Sequence, residues 1–377
     1  MAFTGKATYD DFTSIAEDVS DIIGIISPSE TPLLDFLGDA ERPGRNINHE
    51  WLEDSLGPGT VINSTAIASA TADTSFQING KGNQLQVGDI LRYTGAGSLT
   101  YEELLQVTII VGANSITVSR DFGTIGPSSL AAGGSIELVA NASLEGKDAG
   151  TDISKARSRK SNYMQIFDKV VQISGTEKVV RQLGGITNEY DYQSVNRMKE
   201  ILRDLERAVI LGETSGNSIG SDTLYRTMKG GWRFITTNVH TVATFSQSFL
   251  DHVTQQAWNN GGNDLDLLVA GAGWKREVDA LASGRIRTTQ DDLTFRTDVR
   301  VYQSAFGEQA VQLNRWMPSK AIMILSSDRM DVVPLAGRFF QEEALSKAGD
   351  YDRTHIVGEY TLEFRNEDGT AKAWENS

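Results

Sequence analysis

The sequence contains no cysteine, only four histidines and no long run of apolar residues. Without cysteine the chain has no disulfides, no thiolate metal ligands and no cysteine nucleophile. No apolar run approaches the roughly 20 residues that a membrane-spanning helix requires. The first residues also lack the basic and apolar segments of a signal peptide. We therefore expect a protein without a membrane span that stays in the cytoplasm where it is made.

The residues that could bind a cation are poorly spaced for a metal site. None of the histidines forms an H-x-x-x-H or H-E-x-x-H pattern; they are His49, His240, His252 and His355. Neighbouring carboxylates occur in three pairs, which solvated turns explain better than cation binding; the pairs are Asp264/Asp266, Asp291/Asp292 and Asp350/Asp352. The sequence accordingly predicts no metal and no cofactor.

Basic residues are also scarce, since 35 Lys and Arg stand against 50 Asp and Glu, a net charge of −15. Proteins that read nucleic-acid sequence normally present a basic face, so this class is disfavoured. An acidic protein can still form the wall of a container for nucleic acid. A wall that bound phosphates strongly would hold the DNA in place and prevent it from sliding in. The composition leaves that function open.

The segment from Ala7 to Glu41 contains no Lys or Arg. Ser14 followed by Glu17 matches a capping box, and the apolar residues from Ile15 to Ile26 have helical spacing. A second short helix is predicted from Leu33 to Leu37, after Thr31-Pro32 and before Gly38. Helices this short are unstable alone, so we interpret the segment as an arm that docks on something larger.

From about Gly57 to Ser143 charges become sparse and strand-like runs recur. The Gly112-Ala113-Asn114 break between two of these runs predicts a tight hairpin. The segment contains no nucleotide loop and no aromatic platform. We expect a small all-β module, either a barrel or a sandwich, inserted into another domain.

Four basic residues follow the module: Lys155, Arg157, Arg159 and Lys160. In a strand the first three share one face. Our hypothesis is that this cationic strand meets an acidic arm on a neighbouring subunit, at the carboxylates Asp10, Asp11, Glu17, Asp18 and Asp21. A solvated edge protected from aggregation by its charge explains the pattern equally well.

The longest predicted helix runs from Asn188 to Gly212, with an apolar seam of Val195, Met198, Leu202, Leu205 and Val209. At about 1.5 Å per residue it spans roughly 35 Å, long enough for a structural spine. Alternating helices and strands then predict a mixed α/β region. Near the end, Glu367-Asp368-Gly369 between two alternating runs predicts a β-hairpin.

One enzymatic motif is present: Gly216-Asn217-Ser218-Ile219-Gly220 fits the G-x-S-x-G nucleophile elbow. An elbow needs a strand before the serine and a helix after it, whereas here a long helix precedes it. A serine hydrolase using Ser218 is therefore the least favoured function, and a Gly- and Ser-rich loop explains the segment better.

Several segments resemble the major head (major capsid) proteins of tailed bacteriophages, whose coat fold is of the Hong Kong 97 type. They are TYDDFTSIAEDVSDIIGIISPSETPLLDFLGDAERP, HEWLEDSL, SRKSNY and VGEYTLEFRNEDG. In that family the N-terminus carries an S-P-x-E-T-P-L-L-D element, which is Ser27 to Asp35 here. The order of acidic arm, extended segment, spine helix and central α/β region is also similar. Another virion protein, of the tail tube or the head decoration, is the alternative.

The resemblance implies an α+β fold with an N-arm, an extended loop, a peripheral domain and an axial α/β domain, to which the all-β module is added. The implied boundaries are 1–45 for the arm, 46–56 with 144–180 for the extended loop, 57–143 for the module, 181–245 with 336–377 for the peripheral domain with its spine helix 188–212, and 246–335 for the axial domain. The end of the peripheral domain is expected to return as a hairpin over 357–374.

The resemblance further implies a shell protein that assembles with copies of itself into hexamers and pentamers, without an active site. Its implied partners are portal, scaffolding and, in some heads, decoration proteins, together with packaged double-stranded DNA that is bound without sequence recognition. The implied location is the virion, after assembly in the bacterial cytoplasm. The sequence lacks a long coiled-coil scaffolding segment before the arm, so we expect scaffolding to be a separate protein.

Overall fold

The computed structural model describes residues 30–38, 40, 42–57, 59–68, 71–72, 74–94, 102–127, 129–148, 150, 152–180, 188–214, 219–282 and 300–376. The chain forms two compact units, one of Met1–Trp51 with Arg159–Ser377 and one of Leu52–Ser158. Both helices and strands are abundant, so the predicted α+β class is confirmed.

The helices are α1 (Pro32–Leu37), α2 (Gly175–Val179), α3 (Glu189–Leu211), α4 (Gly231–Phe234), α5 (Gln247–Asn259) and α6 (Ala272–Ala282). The strands are β1 (Asn48–Glu53), β2 (Thr60–Ile62), β3 (Ser75–Gln77), β4 (Asp89–Thr94), β5 (Glu102–Gly112), β6 (Ser115–Ser119), β7 (Ser135–Asn141), β8 (Ser158–Tyr163), β9 (Gln165–Ser174), β10 (Val239–Val242), β11 (Leu267–Ala270), β12 (Val301–Ser304), β13 (Gly307–Leu313), β14 (Ala321–Leu325), β15 (Met330–Pro334), β16 (Gln341–Leu345), β17 (Tyr351–Phe364) and β18 (Ala371–Glu375).

The predicted spine helix is confirmed as α3, with Asn188 capping its first turn and Gly212 ending it. Its buried face differs from the predicted seam. Val195 is 54% exposed, whereas Ile201 and Ile210 join Leu205 and Val209 in the core. The helix packs on β9 and β17, and this contact buries mainly its C-terminal half.

The sheet under α3 is built around β17, the longest strand. β17 pairs antiparallel with β9 along one edge and with β15 and β16 along the other. Ala40 donates to Val332 O of β15, and Gly44 donates to Pro334 O and accepts from Ala336 N, both at 2.8 Å. This stretch covers an edge that would otherwise leave backbone groups unpaired.

A second sheet has the strand order β10-β18-β14-β11-β13-β12 and a buried centre at β11 and β14. The helices α5 and α6 alternate with strands of this sheet, as the predicted mixed α/β region requires. The predicted Asp-Gly hairpin is wrong, because β17 and β18 lie in different sheets. Asn366 adopts a left-handed conformation and a 3-10 turn follows over Glu367–Gly369, so the chain crosses from one sheet to the other.

The turn between β17 and β18 is held by hydrogen bonds from residues that precede β10. Glu367 accepts from the backbone and hydroxyl groups of Thr236 and Thr237. Asn238 donates to Asp368 O and Thr370 O. The local preference of Asp-Gly for a hairpin turn is therefore outweighed by contacts with a segment 130 residues away in sequence.

The smaller unit is an all-β module whose strands form the order β2-β7-β4-β5-β6-β3. A bridge between Asn63 and Ile78 joins the ends of the two outermost strands, so the sheet closes on itself. Side chains such as Phe76, Leu105 and Ile136 fill the interior and are fully buried. The predicted β5–β6 hairpin is confirmed: the two strands pair antiparallel, with Gly112 opposite Ser115. A closed sheet has no free edge for unwanted strand pairing.

Candidate subunit-contact surfaces

The described end of the N-terminal segment is anchored by a buried carboxylate on α3. Glu206 accepts hydrogen bonds from the backbone of Leu33 at 3.0 Å and Leu34 at 2.9 Å. Asn314 donates to the same carboxylate at 2.5 Å. These two backbone N–H groups belong to the first turn of α1, which begins at Pro32 and would otherwise leave them without partners. The carboxylate also sits at the positive end of this short helix, where negative charge is favoured.

Burial raises the pKa of Glu206 above its ordinary value, and the hydrogen bonds to α1 and Asn314 oppose that shift. The charge of Asp35 raises the pKa further. Among the described residues the carboxylate is satisfied by N–H donors, and none of them forms an ion pair with it. Removing it would leave buried donors without acceptors.

Residues near Glu206 also hold the first residue of α1 and the chain just before it. Gln312 donates to Pro32 O at 2.6 Å, and the Trp316 indole donates to Glu30 O at 3.0 Å. Arg315 forms an exposed ion pair with Glu30 at 3.3 Å. The Arg207 guanidinium lies 4.0 Å from the Trp316 ring centre, a cation–π geometry. We define the arm anchor as Glu206, Gln312, Asn314 and Trp316.

The strands β1 and β8 form a separate two-stranded sheet, and β8 is fixed at its end by Asn162. This buried side chain donates to Leu362 O at 2.7 Å and Lys229 O at 2.9 Å. Its oxygen accepts from Lys229 N at 2.8 Å and Tyr163 N at 2.9 Å. The hydroxyl of Thr361 donates to Tyr163 O. Both donors and the acceptor oxygen of the Asn162 side chain are therefore used. These bonds fix the orientation of the end of β8 relative to β17.

The same region contains a partly buried His–Glu pair. His49 on β1 lies 2.6 Å from Glu363 on β17. The pKa of Glu363 is below its ordinary value, mainly because His49 hydrogen-bonds to it, while burial acts in the opposite direction. Arg365 is 3.5 Å from the same carboxylate. The pair links β1 to the sheet that carries the spine helix.

We expect the contribution of Glu363 to stability to depend on pH. A carboxyl whose pKa is lower in the folded chain stabilises the fold above about pH 4.5 and loses that contribution as the pH falls through its folded pKa. The difference in free energy of unfolding between the wild type and Glu363→Gln should therefore shrink between about pH 6 and about pH 3. Urea unfolding at both pH values measures it. Glu343→Gln, at an exposed position of β16, is the control, and an equal difference for Glu363→Gln at both pH values would contradict the expectation.

The structure places the predicted cationic residues on and before β8, where they are exposed or half-exposed, and three of them have partners in the same chain. Arg159 lies 3.4 Å from Glu50, and Arg157 lies 3.7 Å from Asp54. Lys155 donates to Leu56 O at 2.7 Å. Lys160 is exposed on β8. Exposed pairs of this kind contribute only about 0–1 kcal/mol each, so they leave the basic groups available to other partners.

The predicted acidic partners lie outside the described residues, namely Asp10, Asp11, Glu17, Asp18 and Asp21, as does the helix expected from Ile15 to Ile26. The pairing of the arm with the cationic strand stays a prediction. Gly216, Asn217 and Ser218 of the G-x-S-x-G motif also lie outside the described part of the chain.

The described residues contain no group of three or more histidine, cysteine, aspartate or glutamate side chains placed to hold a metal ion. His355 lies 3.5 Å from Asp168, and His240 and His252 lie side by side with ring centres 5.6 Å apart. Within the same ranges no helix has both the length and the apolar character needed to cross a membrane.

Comparison with known proteins decides the family. The profile of the SU10 major capsid protein family matches residues 4–376, almost the whole chain. The chain belongs to this family. It is a capsid-forming structural protein of a tailed bacteriophage, located in the virion, and the predicted family and function are confirmed.

Solved structures support the fold of this capsid protein. The cyanophage A-1(L) capsid asymmetric unit matches with a TM-score of 0.54 at 8% identity, covering 98% of this chain and 99% of that chain. A structure from Microbacterium phage Oxtober96 matches with a TM-score of 0.50 at 10% identity, covering 98% and 99%. No curated protein matches the sequence. The predicted Hong Kong 97-like coat fold is confirmed, at identities so low that few individual residues are shared.

Sequence reasoning missed the arm anchor of the capsid protein. A signal was present: Glu206 stands between Leu205 and two buried residues, Val209 and Ile210, so it interrupts the apolar face of α3. A carboxylate on an apolar helix face is rarely buried unless it has partners. The identity of those partners, on α1 and after β13, could not be predicted from local spacing.

Proposed function

We propose that copies of this capsid protein assemble into hexamers and pentamers, which close into an icosahedral head around packaged double-stranded DNA. The family match over 4–376 is the observation that carries the proposal. The net charge of −15 fits a wall that does not grip phosphates. Portal, scaffolding and, in some heads, decoration proteins are the further partners that we propose, and we propose no enzymatic activity and no cofactor.

We also propose that the parts of the chain serve the shell differently. Residues 1–45 are the arm, 46–56 with 144–180 the extended loop, and 57–143 the inserted module. The peripheral and axial domains are 181–245 with 336–377 and 246–335. The sheet pairing shifts three strands across these limits: β10 and β18 lie in the axial sheet, and β15 pairs with β17 of the peripheral domain. The arm anchor supports this division, because a six-residue helix gains its stability only from the surface on which it docks.

Negative-stain microscopy of the expressed and purified protein tests the proposal. Closed shells, or hexameric and pentameric capsomers, are expected at high protein concentration. Open tubes or stacked rings would favour a tail-tube protein, and small discrete oligomers would favour a decoration protein. A chain that stays monomeric under all assembly conditions would contradict the proposed function.

Charge reversal of the cationic strand is expected to block assembly. The double variant Arg157→Glu, Arg159→Glu places two acidic groups where the acidic arm of a neighbour is proposed to bind, and each repeated contact is lost throughout the shell. Because both arginines are more than half exposed, the free subunit should lose only about 0–2 kcal/mol of stability from two surface pairs. Sedimentation and microscopy measure assembly, and thermal unfolding of the subunit measures stability.

A fourfold variant separates pairing within the chain from pairing between subunits. Adding Glu50→Arg and Asp54→Arg restores the two intrachain ion pairs with reversed sign, while the arm of a neighbour keeps its acidic charge. We expect this variant to remain unable to assemble. Recovery of shells in the fourfold variant, or intact shells from the double variant, would refute the pairing between subunits.

A further inference from the structure

Two histidines of the larger unit lie against each other. His240 is on β10 and His252 is on α5, and their ring centres are 5.6 Å apart with the ring planes at 76°. The other two histidines of the chain are engaged differently, since His49 and His355 each lie within 3.5 Å of a carboxylate. No described carboxylate is that close to His240 or His252, so the two imidazoles have each other as neighbours and no ion-pair partner among the described residues.

The face of β10 that carries His240 is directed towards α5. Side chains alternate along a strand, so His240 shares its face with Val242. Val242 packs against the buried apolar cluster that contains Leu250 and Val253 of α5. Among the described strands β10 pairs only with β18, so it is an edge strand of its sheet. The contact between the two histidines therefore joins the edge of the sheet to the helix that covers it.

One ring nitrogen of His240 is buried without a hydrogen-bond partner. No described group donates to its Nε2 atom or accepts from it, and the atom is closed off from solvent. Buried polar atoms without partners are rare in folded proteins, and each one calls for a physical explanation, such as an ion. His252 is exposed on α5. Exposed side chains change rotamer within nanoseconds, so an ion can enter beside this ring.

The chemistry of two facing imidazoles suits a particular class of ion. Neutral imidazole nitrogens are common ligands of Zn²⁺, Ni²⁺ and Cu²⁺. Two imidazoles that share one Zn²⁺, with Zn–N bonds of about 2.0–2.1 Å, have ring centres roughly 5–6 Å apart. The separation of 5.6 Å between His240 and His252 lies in this range. Mg²⁺ and Ca²⁺ prefer oxygen ligands and do not fit the pair.

We propose that His240 and His252 together bind one divalent transition-metal ion of the Zn²⁺, Ni²⁺ and Cu²⁺ class, with water at its remaining positions. The ion is structural: it ties the edge strand β10 to α5 and supplies no chemistry. Binding is weaker than at a structural zinc site, which has four protein ligands. Local spacing could not indicate the site, because the two histidines are twelve residues apart and lie on a strand and a helix. The inference goes beyond the proposed shell function and does not depend on it.

Calorimetric titration of the purified, untagged chain with Zn²⁺ tests the site, with excess Mg²⁺ present to occupy the carboxylates. The wild type should bind one ion per subunit. His240→Ala and His252→Ala should each weaken binding by about tenfold or more, since even the loss of a supporting residue costs that much affinity. His355→Ala removes a partly exposed histidine outside the pair and is the matched control. It should bind Zn²⁺ as the wild type does.

Hydrogen exchange shows where the ion acts. At a free Zn²⁺ concentration 100 times the Kd, exchange of the β10 amides by local opening should slow by up to about 100-fold in the wild type. The same addition should leave β10 of His252→Ala unchanged. Because His252 is exposed, its substitution should leave the fold in place, and this comparison decides the matter even if His240→Ala fails to fold.

Three results would overturn this inference. They are a wild type that binds no Zn²⁺, equal affinity in the wild type and His252→Ala, and exchange at β10 that Zn²⁺ leaves unchanged. None of them bears on shell assembly, so the proposed function stands or falls separately by microscopy of the same preparations.

Discussion

Glu206→Ala is expected to release α1 and abolish head assembly. The substitution leaves three donors without their acceptor: Leu33 N and the Asn314 amide, which are buried, and Leu34 N, which is partly buried. Each unsatisfied buried donor costs on the order of 1–3 kcal/mol, so the docked state should lose about 3 kcal/mol or more. Undocking hydrates the donors but exposes Leu33, which is fully buried.

The expected signs of undocking can be measured on the free subunit. Trypsin should cleave at Arg42 or Arg45 faster than in the wild type, because the preceding helix no longer fixes this stretch. Urea unfolding should show a lower free energy of unfolding, and microscopy should show no closed shells. Glu206→Gln keeps one acceptor oxygen and should fall between Glu206→Ala and the wild type.

A matched control lies on the same helix. Glu200 pairs with Arg197 at 2.6 Å on a partly exposed face, so Glu200→Ala should cost about 0–1 kcal/mol and leave α1 docked. Equal proteolysis of Glu206→Ala and Glu200→Ala, with shells from both, would show that the arm anchor does not hold α1 in solution.

Arg120→Ala is expected to unfold the β module or weaken it severely. Arg120 donates to both carboxylate oxygens of Glu103 at 2.6 and 2.8 Å, and neither side chain is exposed to solvent. It also donates to Ala68 O at 2.6 Å and lies over the Phe76 ring. Removing one partner of a buried ion pair leaves an uncompensated charge, at a cost of about 3–5 kcal/mol.

Two further variants separate the ion pair from general effects of arginine removal. Arg92 pairs with Glu137 on the outside of the same module, with 36% and 40% of the side chains exposed, so Arg92→Ala should cost about 0–1 kcal/mol. The double variant Glu103→Leu, Arg120→Met removes both charges and should recover most of the stability. Hydrogen exchange resolved to β4, β5 and β6 measures each variant. Similar exchange in Arg120→Ala and Arg92→Ala would contradict the expected role of the buried pair.

Much of the fold could be predicted because it depends on near neighbours in sequence. The limits of α3 follow from the cap at Asn188 and the break at Gly212, both local signals. The β5–β6 hairpin follows from Gly112-Ala113-Asn114 in the same way. The seam of α3 was predicted less well, because Val195 fits the helical period but no described element covers it.

Contacts between distant residues were predicted poorly. The Asp-Gly turn at 368–369 obeys local rules, yet β18 pairs with β14 and β10 because Thr236, Thr237 and Asn238 hold the turn in another direction. Likewise, the sequence left Arg157 and Arg159 either on a solvated edge or against the acidic arm of a neighbour, and it did not indicate that Asp54 and Glu50 lie beside them.

By itself, the sequence determined the class of this protein, its family, its spine helix and the presence of an all-β module, because periodicity, turn residues and family motifs are properties of short segments. The tertiary structure alone decided which sheet receives β18 and how Glu206 holds α1. These features depend on groups up to 173 residues apart, and their distances are set by the packing of whole elements. Local spacing carries no information about such distances.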